Sequence, residues 1–248
     1  MEFKDYFSDH SKNYAESRPH YPDELFQYLI TLIPQKDTAW DVGTGNGQAA
    51  ISLAEYFNKV IATDASKEQI NNAFPHDKVK YFVATAEDSD LESNSIDLIT
   101  AATCIHWFDL QKFYPEVQRI LKPHGVIAAW CYVFMETDDA CGQLINEFAL
   151  GPLKNYWPHE RDYVWSKYNT LPFPFEPVNA PAFYCRMSWN LFQLINYLNS
   201  WSSTKQYLAK HQTNPLEVLI PQLEKEWGDP YTVKEVRWEL ALKVGRKL

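Results

Sequence analysis

The first half of the chain alternates short, continuously apolar segments with longer segments that carry a single apolar face. Continuous apolar runs are typical of strands that are buried on both faces, and one apolar face at helical spacing predicts an amphipathic helix. Strands alternating with helices in this way predict right-handed βαβ units and a parallel sheet. The predicted strands are 38–42, 59–63, 79–83, 96–102 and 126–133, and the predicted helices are 23–33, 48–57, a segment opening at Ser66, and 109–121.

The pattern changes after residue 134. Residues 150–181 hold many prolines and aromatic residues without a regular period, so we expect a cap over the C-terminal edge of the sheet. A strand is predicted at 182–188, and helices are predicted at 189–210 and 215–227. Residues 235–244 alternate apolar and mostly polar side chains, which predicts a half-buried strand that pairs antiparallel near one edge of the sheet.

Composition limits the classes of protein to which this chain can belong. Its 248 residues are 46% hydrophobic and 15% aromatic, enough for one α/β domain with either an aromatic-lined pocket or a dense core. The formal net charge of −9 argues against a nucleic-acid partner, which requires a basic surface. The chain start has no hydrophobic signal region and no segment is apolar for about 18 residues. We therefore expect a cytoplasmic protein with no membrane segment.

The four cysteines lie in apolar contexts, and none forms a C-x-x-C pair. Buried free thiols are expected for such residues, rather than disulfides or a metal site. The four are Cys104, Cys131, Cys141 and Cys185.

A glycine-rich turn after the first strand carries the strongest functional signal. Asp41 precedes Gly43, Gly45 and Gly47, and a second strand ends at Asp64. Glycines at this spacing allow a tight strand-to-helix turn and close approach of a ligand, while the second acidic residue is placed to accept hydrogen bonds from ribose hydroxyls. The pattern predicts a nucleoside cofactor.

The spacing differs from the dinucleotide motif G-x-G-x-x-G, because position 48 is glutamine. The carboxylate of Asp41 would also repel a pyrophosphate at the helix N-terminus. It would attract the sulfonium and ammonium groups of S-adenosylmethionine (SAM). The predicted cofactor is therefore SAM, with S-adenosylhomocysteine as product.

Together these residues resemble the class I SAM-dependent methyltransferases of the broad group called methyltransferase type 11. The resemblance implies a Rossmann-like, doubly wound, mostly parallel seven-stranded sheet with one antiparallel strand near an edge. Thr85-Ala86-Glu87 stands where the family usually has Asp-Ala-Glu in contact with adenine. Threonine in place of aspartate changes the side-chain contact to the adenine amino group, while the main chain at Ala86 can still contact adenine. The cofactor-binding residues implied are Tyr14, Arg18, Asp41, Gly43, Thr44, Gly45, Asp64, Ala65, Thr85, Ala86, Glu87 and Thr103.

A narrower resemblance is to the trans-aconitate methyltransferase-like subgroup. Its opening Tyr-Ala-x-x-Arg-Pro-x-Tyr-Pro matches residues 14–22, and its His-Trp-Phe-Asp matches residues 106–109. The subgroup implies that the N-terminal segment folds over SAM as a lid. We predict a single domain over 1–248, divided into a lid and first helix at 1–34, a region with the cap insertion at 135–232, and a last strand at 233–246.

The loop after the fourth strand faces the transferred methyl group in this family. Enzymes that methylate amino groups usually carry Asn/Asp-Pro-Pro-aromatic there, whereas this chain has Thr103-Cys104-Ile105-His106, which favours oxygen or carbon acceptors. His106 is the candidate catalytic residue, either as a general base or as a positioning group, and a purely structural role is the alternative. Tyr21, His106, Trp107, Arg161 and Arg186 are the candidate substrate-binding residues, and His159 in the cap is a further candidate for an anionic substrate.

We thus expect methyl transfer from SAM to a small molecule, in particular O-methylation of a carboxylic acid. The alternatives are a phenol or carbon-acid methyltransferase that uses His106 as base, and a non-catalytic SAM-binding regulatory protein. No metal and no nucleic-acid partner are expected. The oligomeric state and the identity of the acceptor stay open.

Overall fold

The computed structural model describes residues 19–247, and the strands within that range form one sheet. Its order is β3-β2-β1-β4-β5-β8-β6, with β7 also paired to β8. The strands are β1 Thr38–Val42, β2 Lys59–Asp64, β3 Val79–Val83, β4 Ile96–Ala102, β5 Leu121–Thr137, β6 Glu176–Pro177, β7 Tyr184–Trp189 and β8 Lys234–Arg246.

Strand directions confirm the predicted fold class. Strands β1 to β5 pair parallel, and β8 pairs antiparallel with β5, β6 and β7. The two-residue strand β6 adds an eighth strand to the seven that were predicted. The order reverses between β1 and β4, and in such sheets the carboxyl ends of the strands at the reversal form a ligand cleft.

Nine α-helices are described, and most of them are shorter than the sequence pattern predicts. The predicted helix at 189–210 is broken at Trp201, whose backbone is extended and whose indole is buried against Tyr197. The helices are α1 Asp23–Thr31, α2 Gln48–Ala54, α3 Lys67–Asn71, α4 Leu110–Ile120, α5 Cys141–Leu150, α6 Arg161–Trp165, α7 Leu191–Asn199, α8 Ser202–His211 and α9 Ile220–Trp227.

Both faces of the sheet are covered, so successive strand residues alternate between two hydrophobic clusters. Leu98 and Trp130 belong to one cluster, while their neighbours Ile99 and Cys131 belong to the other. Neighbouring residues of a strand point to opposite faces of the sheet, and both are apolar because helices pack on both faces. This burial explains the continuous apolar runs. All four cysteines are buried and free, as predicted.

β5 begins five residues earlier than predicted. Leu121 already pairs with Ile96, and the register then jumps so that Val126 pairs with Leu98. The intervening Lys-Pro-His-Gly segment is a bulge in which His124 has a φ of +65°. Within residues 19–247, no helix combines the length and apolarity that a bilayer-spanning segment needs.

A buried carboxylate next to this bulge joins three segments of the sheet. Asp97 Oδ2 accepts hydrogen bonds from the backbone N–H groups of Asp37 (3.1 Å) and Thr38 (2.9 Å), and Lys122 Nζ lies 2.8 Å from Asp97 Oδ1. Asp97 is almost fully buried. Its loss would leave several donors unsatisfied, each costing about 1–3 kcal/mol.

We predict that Asp97→Ala lowers the free energy of unfolding by about 2–4 kcal/mol, because these donors lose their acceptor inside the protein. Urea denaturation measures this change. Asp138→Ala is the control, since Asp138 is exposed and pairs only at the surface with Arg237, and it should cost below about 1 kcal/mol. Equal losses in the two variants would contradict the structural role of Asp97.

Candidate cofactor and substrate site

The glycine loop connects β1 to α2 with three residues in the left-handed region. The φ angles are +64° at Gly43, +57° at Gly45 and +90° at Gly47. The N–H of Thr44 donates to the carbonyl of Thr63 (2.9 Å), which ties the loop to β2. Residues other than glycine rarely adopt these φ angles, so the turn depends on glycine at the three positions.

The three glycines serve different purposes. A Cβ at Gly43 would lie 2.8 Å from Cys104, and one at Gly47 would lie 2.2 Å from the hydroxyl of Tyr81. A Cβ at Gly45 would have no atom within 4 Å. Protein packing therefore excludes side chains at two of the positions, whereas Gly45 borders open space into which a ligand can approach the backbone.

Asp41 lies beneath this loop and is completely buried. Its carboxylate accepts hydrogen bonds from Thr44 Oγ1 (2.5 Å) and Thr100 Oγ1 (2.7 Å). Burial raises the pKa of Asp41 to about 6 although these hydrogen bonds oppose the shift. Asp41 has no exposed surface, so it acts on a ligand through its charge and through the loop that it supports.

Asp64 ends β2 and faces the same loop. Its Oδ2 accepts from the N–H of Gly45 and its Oδ1 from the N–H of Ser66, both at 2.8 Å. These two bonds fix the orientation of the carboxylate beside the loop. The adjacent Ala65 is half-buried.

The segment after β3 lies along the loop that leads into α4. Ala86 is buried and Thr85 is exposed. Glu87 Oε1 accepts a hydrogen bond from the N–H of Asp109 at 2.8 Å, immediately before α4. The side chain of Glu87 therefore holds the start of a helix.

Thr103 follows β4 in a left-handed conformation, with φ +59°. Such an angle is a genuine outlier for a β-branched residue and is typical of functional sites. Its Oγ1 lies 3.1 Å from the hydroxyl of Tyr21, whose ring packs edge-on against Trp130 at 5.4 Å. Tyr21 is thus brought to the carboxyl ends of β4 and β5.

The chain just before α1 crosses the start of α2. Gln48 Nε2 lies 3.2 Å from the carbonyl oxygen of Pro19 and 2.8 Å from His20 Nδ1. The predicted lid residues Tyr14 and Arg18 lie outside the described residues, so the lid stays a prediction.

His106 is buried beside the cap. Its Nδ1 lies 3.0 Å from the hydroxyl of Tyr168, and its ring contacts Trp107 at a centroid distance of 4.9 Å. Burial, followed by the positive charge of Arg161, lowers the pKa of His106 to about 3. The imidazole is therefore neutral at physiological pH.

Arg161 begins α6 and lies against two tryptophans that contact each other. Its guanidinium carbon is 4.4 Å from the ring centroid of Trp157 and 5.1 Å from that of Trp165. Phe134 stacks on Trp165 at 5.9 Å. Cation–π contacts with these two adjoining rings restrain the guanidinium, so a positive charge stands near His106 in aromatic surroundings.

Two other candidate cations lie elsewhere. Arg186 is exposed on β7, and its Nη1 is 2.6 Å from Glu235 Oε1. The side chain of His159 is 86% exposed and lies beside Glu160. The structure does not bring either residue to the group formed by Thr103, His106 and Arg161.

Comparisons with known proteins agree with this geometry. A family model described as a methyltransferase domain matches residues 40–129. A Dictyostelium discoideum protein named as a methyltransferase is 37% identical over 231 residues, which cover 91% of this chain and 87% of that protein. The chain belongs to the SAM-dependent methyltransferases.

Two further relatives extend this agreement. The solved structure of an Anaeromyxobacter dehalogenans protein described as a type II methyltransferase is 38% identical, with a TM-score of 0.88, and the match covers 93% of this chain and 98% of that chain. An S-adenosylmethionine-dependent methyltransferase of Saccharomyces cerevisiae is 28% identical over 254 residues, which cover 87% of each protein. The trans-aconitate-like subgroup stays a prediction.

The residues of this methyltransferase fit SAM as its cofactor. In that case Asp64 would accept hydrogen bonds from the ribose, the main chain at Ala86 would contact adenine, and the open space at Gly45 would admit the cofactor to the backbone. The buried charge of Asp41 suits a cationic ligand. When bound, SAM supplies an electrophilic methyl group on its sulfonium.

Sequence reasoning missed Tyr168, Trp157 and Trp165 as residues of the site. Tyr168 and Lys167 both have left-handed backbones, with φ angles of +58° and +54°. Neither of the two left-handed residues is a glycine or an asparagine, although Asn169 follows directly, so residue type does not identify the pair. The high aromatic content was the one available indication of an aromatic wall.

We predict that Gly45→Ala weakens SAM binding at least tenfold, because the new methyl group would occupy the open space beside the loop. Left-handed strain should also cost about 1–2 kcal/mol of stability. Gly228→Ala is the matched control, since Gly228 also has a positive φ (+78°) with nothing within 4 Å of its Cβ. Calorimetric titration should show weaker SAM binding only for Gly45→Ala, and equal affinities would contradict the assignment.

The pKa of His106 predicts a pH dependence of stability. The native pKa of about 3 lies below the ordinary value of 6.5, so the native state binds fewer protons between these values. The contribution of neutral His106 to the free energy of unfolding is therefore fully present above pH 6.5, and it is lost as the pH drops towards 3. At pH 5, His106 should lower the free energy of unfolding by about 2 kcal/mol relative to its value above pH 6.5.

His106→Gln should remove this part of the slope, as measured by denaturation at pH 7 and pH 5. His159→Gln, at the exposed histidine, should keep the wild-type slope. A slope that His106→Gln leaves unchanged would show that His106 is not buried in the neutral form.

Proposed function

We propose that this methyltransferase transfers the methyl group to an oxygen of a small carboxylic acid, forming a methyl ester. At neutral pH a carboxylate is already ionised, so its oxygen is a nucleophile with no proton to remove. The reaction then requires positioning, in-line approach and exclusion of water more than acid–base chemistry.

The neutral state of His106 carries this proposal. A general base works best when its pKa lies near the operating pH, and a pKa of about 3 makes His106 a poor acceptor for a proton. Phenols ionise only near pH 10, so they would need a much stronger base. A carboxylate needs none.

Arg161 supports an anionic acceptor. Its positive charge acts on His106, and its contacts with Trp157 and Trp165 limit its movement. A guanidinium presents donors in a planar fork that matches the two oxygens of a carboxylate. The neighbouring aromatic side chains suit the apolar body of a small acid.

Methyl transfer from labelled SAM to matched acids and phenols tests the proposal. The expected product is an ester, which mild alkali hydrolyses to labelled methanol, whereas an aryl ether or a carbon-methyl product survives this treatment. Between pH 6 and pH 9, kcat/KM should show no ionisation near 6.5. An alkali-stable product, or SAM binding without any S-adenosylhomocysteine formation, would refute the ester proposal.

Arg161→Gln should raise KM for the acid by about 10- to 100-fold, because a charge-assisted hydrogen bond contributes about 1.5–3 kcal/mol. The affinity for SAM should change little. Arg186→Gln is the matched control, because Arg186 pairs with Glu235 at the surface, and its kinetics should equal those of the wild type. Equal KM values for the two variants would exclude Arg161 as the anion-binding group.

A further inference from the structure

The hydroxyl of Tyr168 connects two buried side chains behind His106. It lies 3.0 Å from His106 Nδ1, and the thiol of Cys131 on β5 is a close neighbour. Tyr168 is completely buried. The three side chains come from the cap, from the loop after β4 and from β5, so only the folded chain brings them together.

An unusual backbone turn places this hydroxyl. Lys167 and Tyr168 follow one another in the left-handed region, which strains residues other than glycine. The N–H of Tyr168 donates to the carbonyl of Tyr163 at 2.7 Å, and Lys167 Nζ lies 2.5 Å from Glu239 on β8. Backbone strain of this kind persists where packing, hydrogen bonds and ion pairs hold the conformation in place, and it is frequent at functional sites.

The chemistry of the three groups gives the hydrogen bonds a direction. Burial raises the pKa of both the Tyr168 hydroxyl and the Cys131 thiol, so both keep their protons. A phenolic O–H is a stronger acid than a neutral imidazole N–H, and an imidazole nitrogen is a stronger base than a phenolic oxygen or a thiol sulfur. The hydroxyl is therefore the donor that we expect towards His106 Nδ1.

We propose that Tyr168 is a positioning residue that fixes His106 as the Nε2–H tautomer, which makes the imidazole a hydrogen-bond donor to the methyl acceptor. In a neutral histidine, the hydrogen bond at one ring nitrogen determines which nitrogen carries the proton. Among residues 19–247, none forms a hydrogen bond with Nε2. The Nε2–H group is thus available to a carboxylate oxygen, a step that rests on the proposed function.

Nitrogen NMR of the protein labelled in its seven histidines tests the tautomer without any substrate. His106→Gln identifies the resonances of His106 by their loss. We expect the wild type at pH 7 to show a protonated Nε2 and an unprotonated Nδ1. Protonated Nδ1 in the wild type would overturn the proposal, whatever the acceptor proves to be.

Two variants separate the hydroxyl from general packing. Tyr168→Phe removes only the donor, and a mixture of the two tautomers should appear. Cys131→Ala truncates the other group that touches the hydroxyl, and the Nε2–H form should persist. An unchanged tautomer in Tyr168→Phe would overturn the proposal.

If the acceptor is a carboxylate, Tyr168→Phe should raise its KM by up to about tenfold while kcat changes less, because a partly misplaced donor weakens binding of the anion. Cys131→Ala should keep the wild-type KM. A confirmed tautomer with no acid substrate would refute the proposed function alone, and an acid substrate with the opposite tautomer would refute this inference alone.

Discussion

The buried carboxylate of Asp41 is the constraint on which the cofactor site depends. It lies one residue before the end of β1 and accepts hydrogen bonds from Thr44 in the glycine loop and from Thr100 in β4. One side chain therefore couples the loop to the two strands where the sheet order reverses. A carboxylate buried at this depth prefers to lose its charge, as its raised pKa shows, and a nearby cation relieves this cost. The same group thus shapes the turn and favours a positively charged cofactor.

The substrate side uses the opposite electrostatic arrangement. Arg161 supplies a positive charge beside an imidazole that burial keeps neutral. Two adjoining tryptophan rings pack against the cation, and the hydroxyl of Tyr168 contacts the imidazole at Nδ1. A cationic cofactor near buried acids and an anionic acceptor near a guanidinium would be brought together by complementary fields. Catalysis by positioning needs such an arrangement more than it needs a base.

Local sequence patterns predicted the part of the molecule where local physics decides the outcome. Strands β1 to β4 follow from continuous apolar runs, and the glycine loop follows from residues that tolerate positive φ. Errors occur where tertiary contacts override the local pattern. The helix predicted at 189–210 breaks because the indole of Trp201 is buried, and β5 extends through a bulge because Leu121 still pairs with Ile96.

The sequence by itself determined the fold class, the SAM motif and the family, because these depend on periodicity and on residue types at fixed spacing. Only the tertiary structure decided the chemical state of the substrate side. Whether His106 is a base depends on burial by the cap and on the charge of Arg161, more than fifty residues away along the chain. Tyr168 enters the site through two left-handed residues that no local pattern marks. Burial and long-range electrostatics are properties of the packed chain, so no reading of residue types could supply them.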